Sequence, residues 1–503
     1  MALSTAENQP LLVTASLCHP LRVHYSNFGA KPLSSYIGHT MTVRNGQILD
    51  LRIEKLIFGG RGLARVNGLA IFVERAVPGD EVRVRVFKKK KNHAEARVIE
   101  LITPSPFRIE PPCRYSGFCG GCTWQFLDYE KQLFFKREHV VEALEHIGQL
   151  RNIRVHPIIP SEKRFGYRNK MEFSFSDRRW LLPEELPRKD IQKDFALGLH
   201  VPGTFDKVLD TESCLLMPDT GNNILRDVRH HVRKSGIAPY GLRSHEGFWR
   251  FLMLRHASSH NQWMVNIITS EEQRSWVQPL ADLLYEKYQN ITSVVNNINT
   301  RKAGIAVGQW EICLSGEPFI SDKIAGFEFE ISANSFFQTN TAGAARLYET
   351  VKAYAGLTGR EIVVDLYSGT GTIPIFLSDG ARKVVGIEIS EGAVQDAQKN
   401  CRENRIRNCQ FICKDIKKGL KDVTDIPDVM VIDPPRIGMH KDVVNIVRSL
   451  SPGRIVYISC NPTTLARDLA MLKEDYHVVE VQPVDMFPHT YHIESVARLE
   501  KLP

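Results

Sequence analysis

Charge and valine alternate along Glu81-Val82-Arg83-Val84-Arg85-Val86, a period of two that predicts a strand over 81–87 with one buried face. Comparable stretches at 47–56 and 69–75, with turns at Gly59-Gly60-Arg61-Gly62 and Pro78-Gly79, extend this texture from Met41 to about Ile102. So many short strands in so short a segment predict a small closed β-barrel, with Lys88, Lys89, Lys90 and Lys91 as a basic tip at the end of a strand. A joint rich in proline (Pro104, Pro106, Pro111, Pro112) comes next. Residues 126–148 then read as an amphipathic helix with Leu127, Leu133, Phe134, Val141, Leu144 and Ile147 on or near one face. Residues 150–335 mix strands and helices without a decisive signature. Beyond Leu347, apolar runs at 362–366, 383–387, 429–432 and 454–458 alternate with helix-like stretches. That alternation predicts a mostly parallel sheet with helices on both faces. The expected fold class is α/β, with an N-terminal barrel.

Length and charge sharpen this division. The chain has 503 residues, too many for one ordinary core, and a net charge of +8. Residues 41–112 hold 14 basic and 8 acidic side chains, so +6 of the +8 sits on the barrel segment. A basic module on a near-neutral body implies a polyanionic partner. No apolar run approaches the roughly 20 residues of a membrane helix. Residues 1–40 carry one acid (Glu7), two strong bases (Arg22, Lys31) and many Ser, Thr and His residues. They read as an extension outside the fold or a transit-like segment, which would make the protein organellar rather than cytoplasmic and bacterial.

The candidate chemistry is concentrated near the C-terminus. Val363-Val364-Asp365-Leu366-Tyr367-Ser368-Gly369-Thr370-Gly371-Thr372 is a strand running into a glycine turn and a helix, in which Gly369 and Gly371 let a ligand approach the backbone. Glu388 ends the next strand, 23 residues past Asp365, the spacing at which a carboxylate takes ribose hydroxyls. The third glycine of a dinucleotide fingerprint is replaced by Pro374, which favours an adenosyl ligand without pyrophosphate, S-adenosylmethionine. Asp433-Pro434-Pro435-Arg436 puts a carboxylate at a further strand end. Ser459-Cys460-Asn461-Pro462 places a thiol at the next, facing the same crevice as a nucleophile. Glu494 opens the last strand and is placed to serve as a base; the neighbouring His489 and His492 do not have the spacing of a standard metal site.

A thiol, a base and a methyl donor answer one difficulty. C5 of a pyrimidine is a poor nucleophile until a thiolate adds at C6, and a base must afterwards remove the C5 proton. Here the sequence resembles the RNA uracil-C5 methyltransferases, specifically the iron–sulfur branch acting on bacterial 23S ribosomal RNA. The resemblance spans residues 41–503 and rests on Asn334-Ser335-Phe336-Phe337-Gln338-Thr339-Asn340, the Asp365 loop, Asp433-Pro434-Pro435-Arg436, Ser459-Cys460-Asn461-Pro462 and His492-Ile493-Glu494. It implies a Rossmann-like class I methyltransferase domain over 336–503, a central α/β domain over 103–335 and an RNA-binding TRAM barrel, OB-like, over 41–102. It also implies Cys460 as nucleophile, Glu494 as proton-abstracting base, and cofactor contacts at Gln338, Tyr367, Thr372, Glu388, Asp415 and Asp433. Thr372 and Asp415 depart from the asparagines of some members. The implied protein is a monomer acting on RNA in the cytoplasm.

Ten cysteines are too few for a disulfide scaffold, yet Cys113, Cys119 and Cys122 crowd into ten positions, a spacing that looks like metal ligation. With the distant Cys214 they resemble the family's four-thiolate [4Fe–4S] site, while four thiolates by themselves suit zinc equally. In Gly166-Tyr167-Arg168-Asn169-Lys170, Arg168 and Lys170 are expected to meet phosphates and Tyr167 to stack on a base. Three rival readings stand beside this one. Transfer RNA would be served by the same chemistry. DNA cytosine-C5 methylation places its nucleophile after a proline, unlike Cys460. A vestigial, non-catalytic RNA-binding protein would not need Cys460, Glu494 and Asp433 together.

Overall fold

The computed structural model describes residues 42–503; the expectations for residues 1–40 lie outside the described residues. The N-terminal strands form one six-stranded sheet in the order Ile48–Arg52, Glu81–Lys89, His93–Thr103, Leu69–Glu74, Arg61–Val66, Lys55–Ile57. Its first and last strands are consecutive in the chain and separated only by Ile53 and Glu54, so the sheet must roll up on itself. Val82, Val84 and Val86 are fully buried, as the alternation requires, and pack on Ile71, Val73, Ala94 and Ala96. The stretch 47–56 divides into two strands because the chain turns the corner of the roll there.

The central sheet runs Ala196–Gly198, Lys170–Ser176, Trp249–Ala257, Gln262–Thr269, Ile291–Ile298, Trp310–Gly316, with the helices Asp219–Ser235 and Arg274–Lys287 contributing to its core. The C-terminal sheet has eight strands: Cys409–Cys413, Lys383–Glu388, Ile362–Leu366, Val429–Ile432, Arg454–Ser459, Glu494–Lys501, Tyr476–Val484 and Arg154–Val155. The first five are mutually parallel, and Glu494–Lys501 runs antiparallel to both its neighbours. Separate apolar cores cover its two faces, as expected of near-continuous apolar strands. Among the described residues no helix is long and apolar enough to cross a membrane.

Strand pairing does not follow a boundary at 335. Arg154–Val155 extends the C-terminal sheet, and the hairpin Phe319–Ile324/Phe327–Ser332 contributes to one of that sheet's cores. The helix Tyr129–Glu142, continued by a wider turn over Ala143–Ile147, also packs on this sheet through Val140, Ala143 and Leu144. Of the apolar face expected, Leu127, Leu133 and Leu144 are buried, but Phe134 and Ile147 are 52% and 48% exposed, and Gln132, Lys136 and His139 are buried with the leucines. Each of these polar groups has a partner across the interface. Gln132 Oε1 accepts from His489 N–H, Lys136 donates to Asp485 and His139 Nε2 lies 3.2 Å from the Leu56 carbonyl oxygen.

Candidate active site

The carboxyl ends of the parallel strands converge on one crevice. After Ile362–Leu366 the chain enters the left-handed region at Tyr367 (φ +66°), Gly369 (φ +53°) and Gly371 (φ +78°) before the helix Thr372–Leu377. At Gly371 a Cβ would fall 2.8 Å from Ala397 and 2.9 Å from Phe411, so packing as well as dihedral angle requires glycine. At Gly369 a Cβ would meet nothing within 4 Å, so this turn faces open space. Glu388 spans the gap between strands: one carboxylate oxygen accepts from Gly369 N–H at 3.0 Å, the other from Ile389 and Ser390 N–H at 2.8 Å.

Asp365 is buried, and neither of its carboxylate oxygens has a hydrogen-bond partner among the described residues. Burial, with the charges of Asp433 and Glu388, pushes its carboxyl well above the ordinary range. Burial likewise raises Asp433 to about 6. Tyr348, buried on the helix Thr341–Ala355, places its hydroxyl 3.2 Å from Thr372 Oγ1. Gln338 is positioned through its backbone, whose carbonyl accepts from Asn169 Nδ2 at 2.8 Å, and Thr370 Oγ1 donates to the neighbouring Phe336 carbonyl. Asp415 is exposed and caps the short helix Ile416–Gly419 by accepting from Lys417 N–H.

Cys460 and Glu494 meet through strand register. The antiparallel ladder between Arg454–Ser459 and Glu494–Lys501 ends with Ser459 opposite Ser495, so the next residue along it on each strand is Cys460 and Glu494. The chain stops pairing there because Asn461 caps the helix Pro462–Leu472, its side chain accepting from Thr463 N–H. The Arg436 carbonyl accepts from Asn461 Nδ2 and Thr464 Oγ1, which fixes the diproline turn beside the thiol. Burial, then the charge of Glu494, pushes the Cys460 thiol up to about 11, and Arg436 acts in the opposite sense. Glu494 is itself held well above the carboxylate range by burial and by Asp433. Such a group is a strong base once ionised. Burial lowers His492 to about 4, with Arg436 adding to the effect, so its imidazole is neutral.

Cys113, Cys119 and Cys122 and the sequence-distant Cys214 line one cavity of about 140 Å³ together with Arg168. None is in a disulfide. Cys119 Sγ accepts from Gly121 N–H, and Cys122 Sγ from Gln125 Nε2. Burial raises all four thiols, Cys119 and Cys122 to about 12. Among the described residues no group of three or more His, Cys, Asp or Glu side chains is set to hold a metal ion.

The motif at 166–170 departs from expectation. Tyr167 is buried with its hydroxyl donating to the Pro488 carbonyl, so it cannot stack on a base; Asn169, given no role by the sequence, ties the central sheet to the 334–340 segment. Sequence reasoning also passed over Tyr348, which reads as an ordinary core aromatic on an amphipathic helix. Arg436 stood inside a quoted motif without a role.

A crevice at the carboxyl ends of parallel strands, with a glycine turn and a ribose-spaced carboxylate, defines a class I methyltransferase-like domain. Residues 320–502 match the tRNA (uracil-5-)-methyltransferase family and residues 42–99 the TRAM domain. An uncharacterized RNA methyltransferase of Chlorobaculum tepidum is 39% identical over 469 residues, 91% of this chain and 97% of its own. One from Bacteroides thetaiotaomicron is 41% identical over 450 residues, 88% and 99% of the two chains. The crystal structure of Pyrococcus abyssi tRNA (uracil-54, C5)-methyltransferase in complex with S-adenosyl-L-homocysteine superposes with a TM-score of 0.70 at 29% identity, over 90% of this chain and 100% of that one. The chain belongs to the RNA (uracil-5-)-methyltransferase family, with an N-terminal TRAM domain.

Proposed function

We propose that this chain methylates C5 of a uridine in RNA, with S-adenosylmethionine as donor, Cys460 as nucleophile and Glu494 as base. The observation carrying this reading is that Cys460 and Glu494 leave the same strand ladder as neighbours, in a crevice shared with Asp433 and Arg436. The unpartnered, buried Asp365 and the open face of Gly369 fit a cationic adenosyl ligand. Gln338, Tyr367, Thr372, Glu388 and Asp433 would hold it, with Asp415 at the margin because its side chain is engaged in capping. When bound, the donor supplies an electrophilic methyl group on a sulfonium.

The Cys460 thiolate adds to C6 of the uracil, and the electron pair of the C5–C6 double bond moves into an enolate through O4. C5 bonds to the methyl carbon as the methyl–sulfur bond breaks. Glu494 takes the C5 proton, the C5–C6 double bond re-forms and the Cys460 thiolate leaves. Arg436 favours the thiolate, whereas ionised Glu494 opposes it, so thiolate and carboxylate are most compatible at separate stages of the cycle.

The four cysteines line one cavity and have the donor chemistry of a [4Fe–4S] cluster, the group the family resemblance implies, with a single zinc ion as the alternative. Their position beside Arg168, in the central domain, supports a structural role. Anaerobic purification should give a brown protein containing iron and acid-labile sulfide; a colourless protein with one zinc overturns the assignment.

Ribosomal RNA is the proposed substrate, on the resemblance carried by the barrel and the four cysteines. Transfer RNA is the second reading, favoured by the activity of the P. abyssi enzyme. Mapping 5-methyluridine in both RNA classes from a strain lacking the gene separates them, and loss at no site sinks the function.

A further inference from the structure

A cavity of about 880 Å³ opens on the central sheet, away from the crevice that holds Cys460. Its floor is Phe251, which lies on the strand Trp249–Ala257. The other end of that strand faces the catalytic domain, where Arg255 donates to the Ser335 carbonyl. Four residue steps along the strand separate Phe251 from Arg255, about 13 Å.

The lining suits a nucleotide. Phe205 at the rim is 68% exposed and has no ring partner among the described residues. Lys302 has no ion pair or hydrogen bond among the described residues, and Arg243 reaches Asp206 while lining the cavity. His200 is held through Nε2 by Ser174 Oγ at 2.8 Å, while its buried Nδ1 has no partner. Among the described residues no carboxylate lines the cavity. The wall is built rather than incidental. The His200 carbonyl accepts from Gly120 N–H at 2.8 Å, and a Cβ at Gly120 would lie 3.1 Å from that oxygen. The loop bearing Cys119 and Cys122 therefore holds one side of the cavity in place.

We propose that this cavity is a second RNA-binding site, taking one unpaired nucleotide of the substrate RNA with its base on Phe205 and its phosphate at Lys302 and Arg243. An unpartnered aromatic face, the unpaired Lys302 and Arg243, whose ion-pair partner Asp206 is not among the lining residues, provide the stacking and phosphate contacts by which single-stranded RNA is held. The site also gives the four-cysteine loop a mechanical purpose, the positioning of an RNA contact remote from the reaction. The proposal rests on the RNA-methyltransferase reading above.

The test uses the full chain, the methylated RNA and the variants Phe205→Ala and Lys302→Ala, both altering exposed side chains. Fluorescence anisotropy should give a Kd raised about fivefold or more by Phe205→Ala, the loss expected from one stacked base. Lys302→Ala should weaken binding and reduce the slope of log affinity against log salt by about 0.7, the share of one phosphate contact. KM for RNA should rise with Kd while kcat is retained. Wild-type affinity in either variant, or a collapse of kcat at saturating RNA, overturns the second site. A wild-type protein that binds no RNA would instead overturn the RNA-methyltransferase reading.

Discussion

Lys136 Nζ lies 2.6 Å from Asp485 Oδ1, and neither side chain is exposed. Tyr129 donates to the other carboxylate oxygen at 2.8 Å, and Lys136 also donates to the Phe487 carbonyl. This network joins the helix Tyr129–Glu142 to the loop that leads into Glu494. Removing one partner would strand a buried charge, a loss of about 3–5 kcal/mol. Lys136→Met should therefore lower the denaturant midpoint sharply. The double variant Lys136→Met/Asp485→Leu should recover much of that stability, since no charge is then left unpaired. A single variant as stable as the wild type would refute the role given to the pair.

The covalent chemistry proposed at Cys460 has a separable signature. With Glu494→Gln the C5 proton has no acceptor, so a protein–RNA adduct should persist through denaturing electrophoresis while turnover falls by about 10²-fold or more. Cys460→Ala should form no adduct and release no tritium from RNA carrying 5-tritiated uridine. Adduct formation by the alanine variant would exclude the mechanism.

The electrostatics of the crevice set a pH dependence. The Cys460 thiol, pushed up to about 11, is almost wholly protonated near neutrality. Its alkylation by iodoacetamide, followed by peptide mass, should rise about tenfold per pH unit from 7 towards 10. Glu494→Gln removes a negative neighbour, lowers the thiol pKa and should speed alkylation at a given pH. Arg436→Ala removes the positive one and should slow it. The reverse order would mean that these groups do not act on the thiol as described.

Part of the barrel's positive charge is paired within the barrel itself. Arg83 pairs with Asp50 and Glu100, Arg97 with Glu74 and Lys88 with Glu95. Lys90 and Lys91 make no ion pair among the described residues, which makes them the better candidates for phosphate contacts. Replacing both with alanine should reduce the salt slope of RNA binding by about 1.4, from two contacts of about 0.7 each. Deleting the whole barrel would be a poorer test. It would expose fully buried Trp124, whose indole donates to the Gly60 carbonyl, and strip the Phe58 ring from Tyr491.

Much of the fold was legible because its signals are local. The strand periods at 81–87 and 362–366 and the glycine turn before Thr372 depend on neighbours a few residues apart, and the structure reproduces them. The helix at 126–148 was legible as a helix but not in its orientation. A reading by hydrophobicity turned Phe134 inward, whereas the buried stripe carries Gln132, Lys136 and His139 because their partners arrive from remote segments. Tyr167 misled for the same reason: nothing near it in sequence announces the Pro488 carbonyl that receives its hydroxyl.

The sequence by itself determined the residue types of the proposed chemistry and their places at strand ends: Asp365, Glu388, Asp433, Cys460 and Glu494. It also determined the family likeness that orders them. Only the tertiary structure decided which of them act on one another. The ladder that brings Cys460 beside Glu494 joins strands separated by a helix and a further strand, and the cavity shared by Cys113, Cys119, Cys122 and Cys214 closes over nearly a hundred intervening residues. Burial and mutual charge, which hold Asp365 and Glu494 above the ordinary carboxylate range, exist only once the chain has excluded water from that crevice.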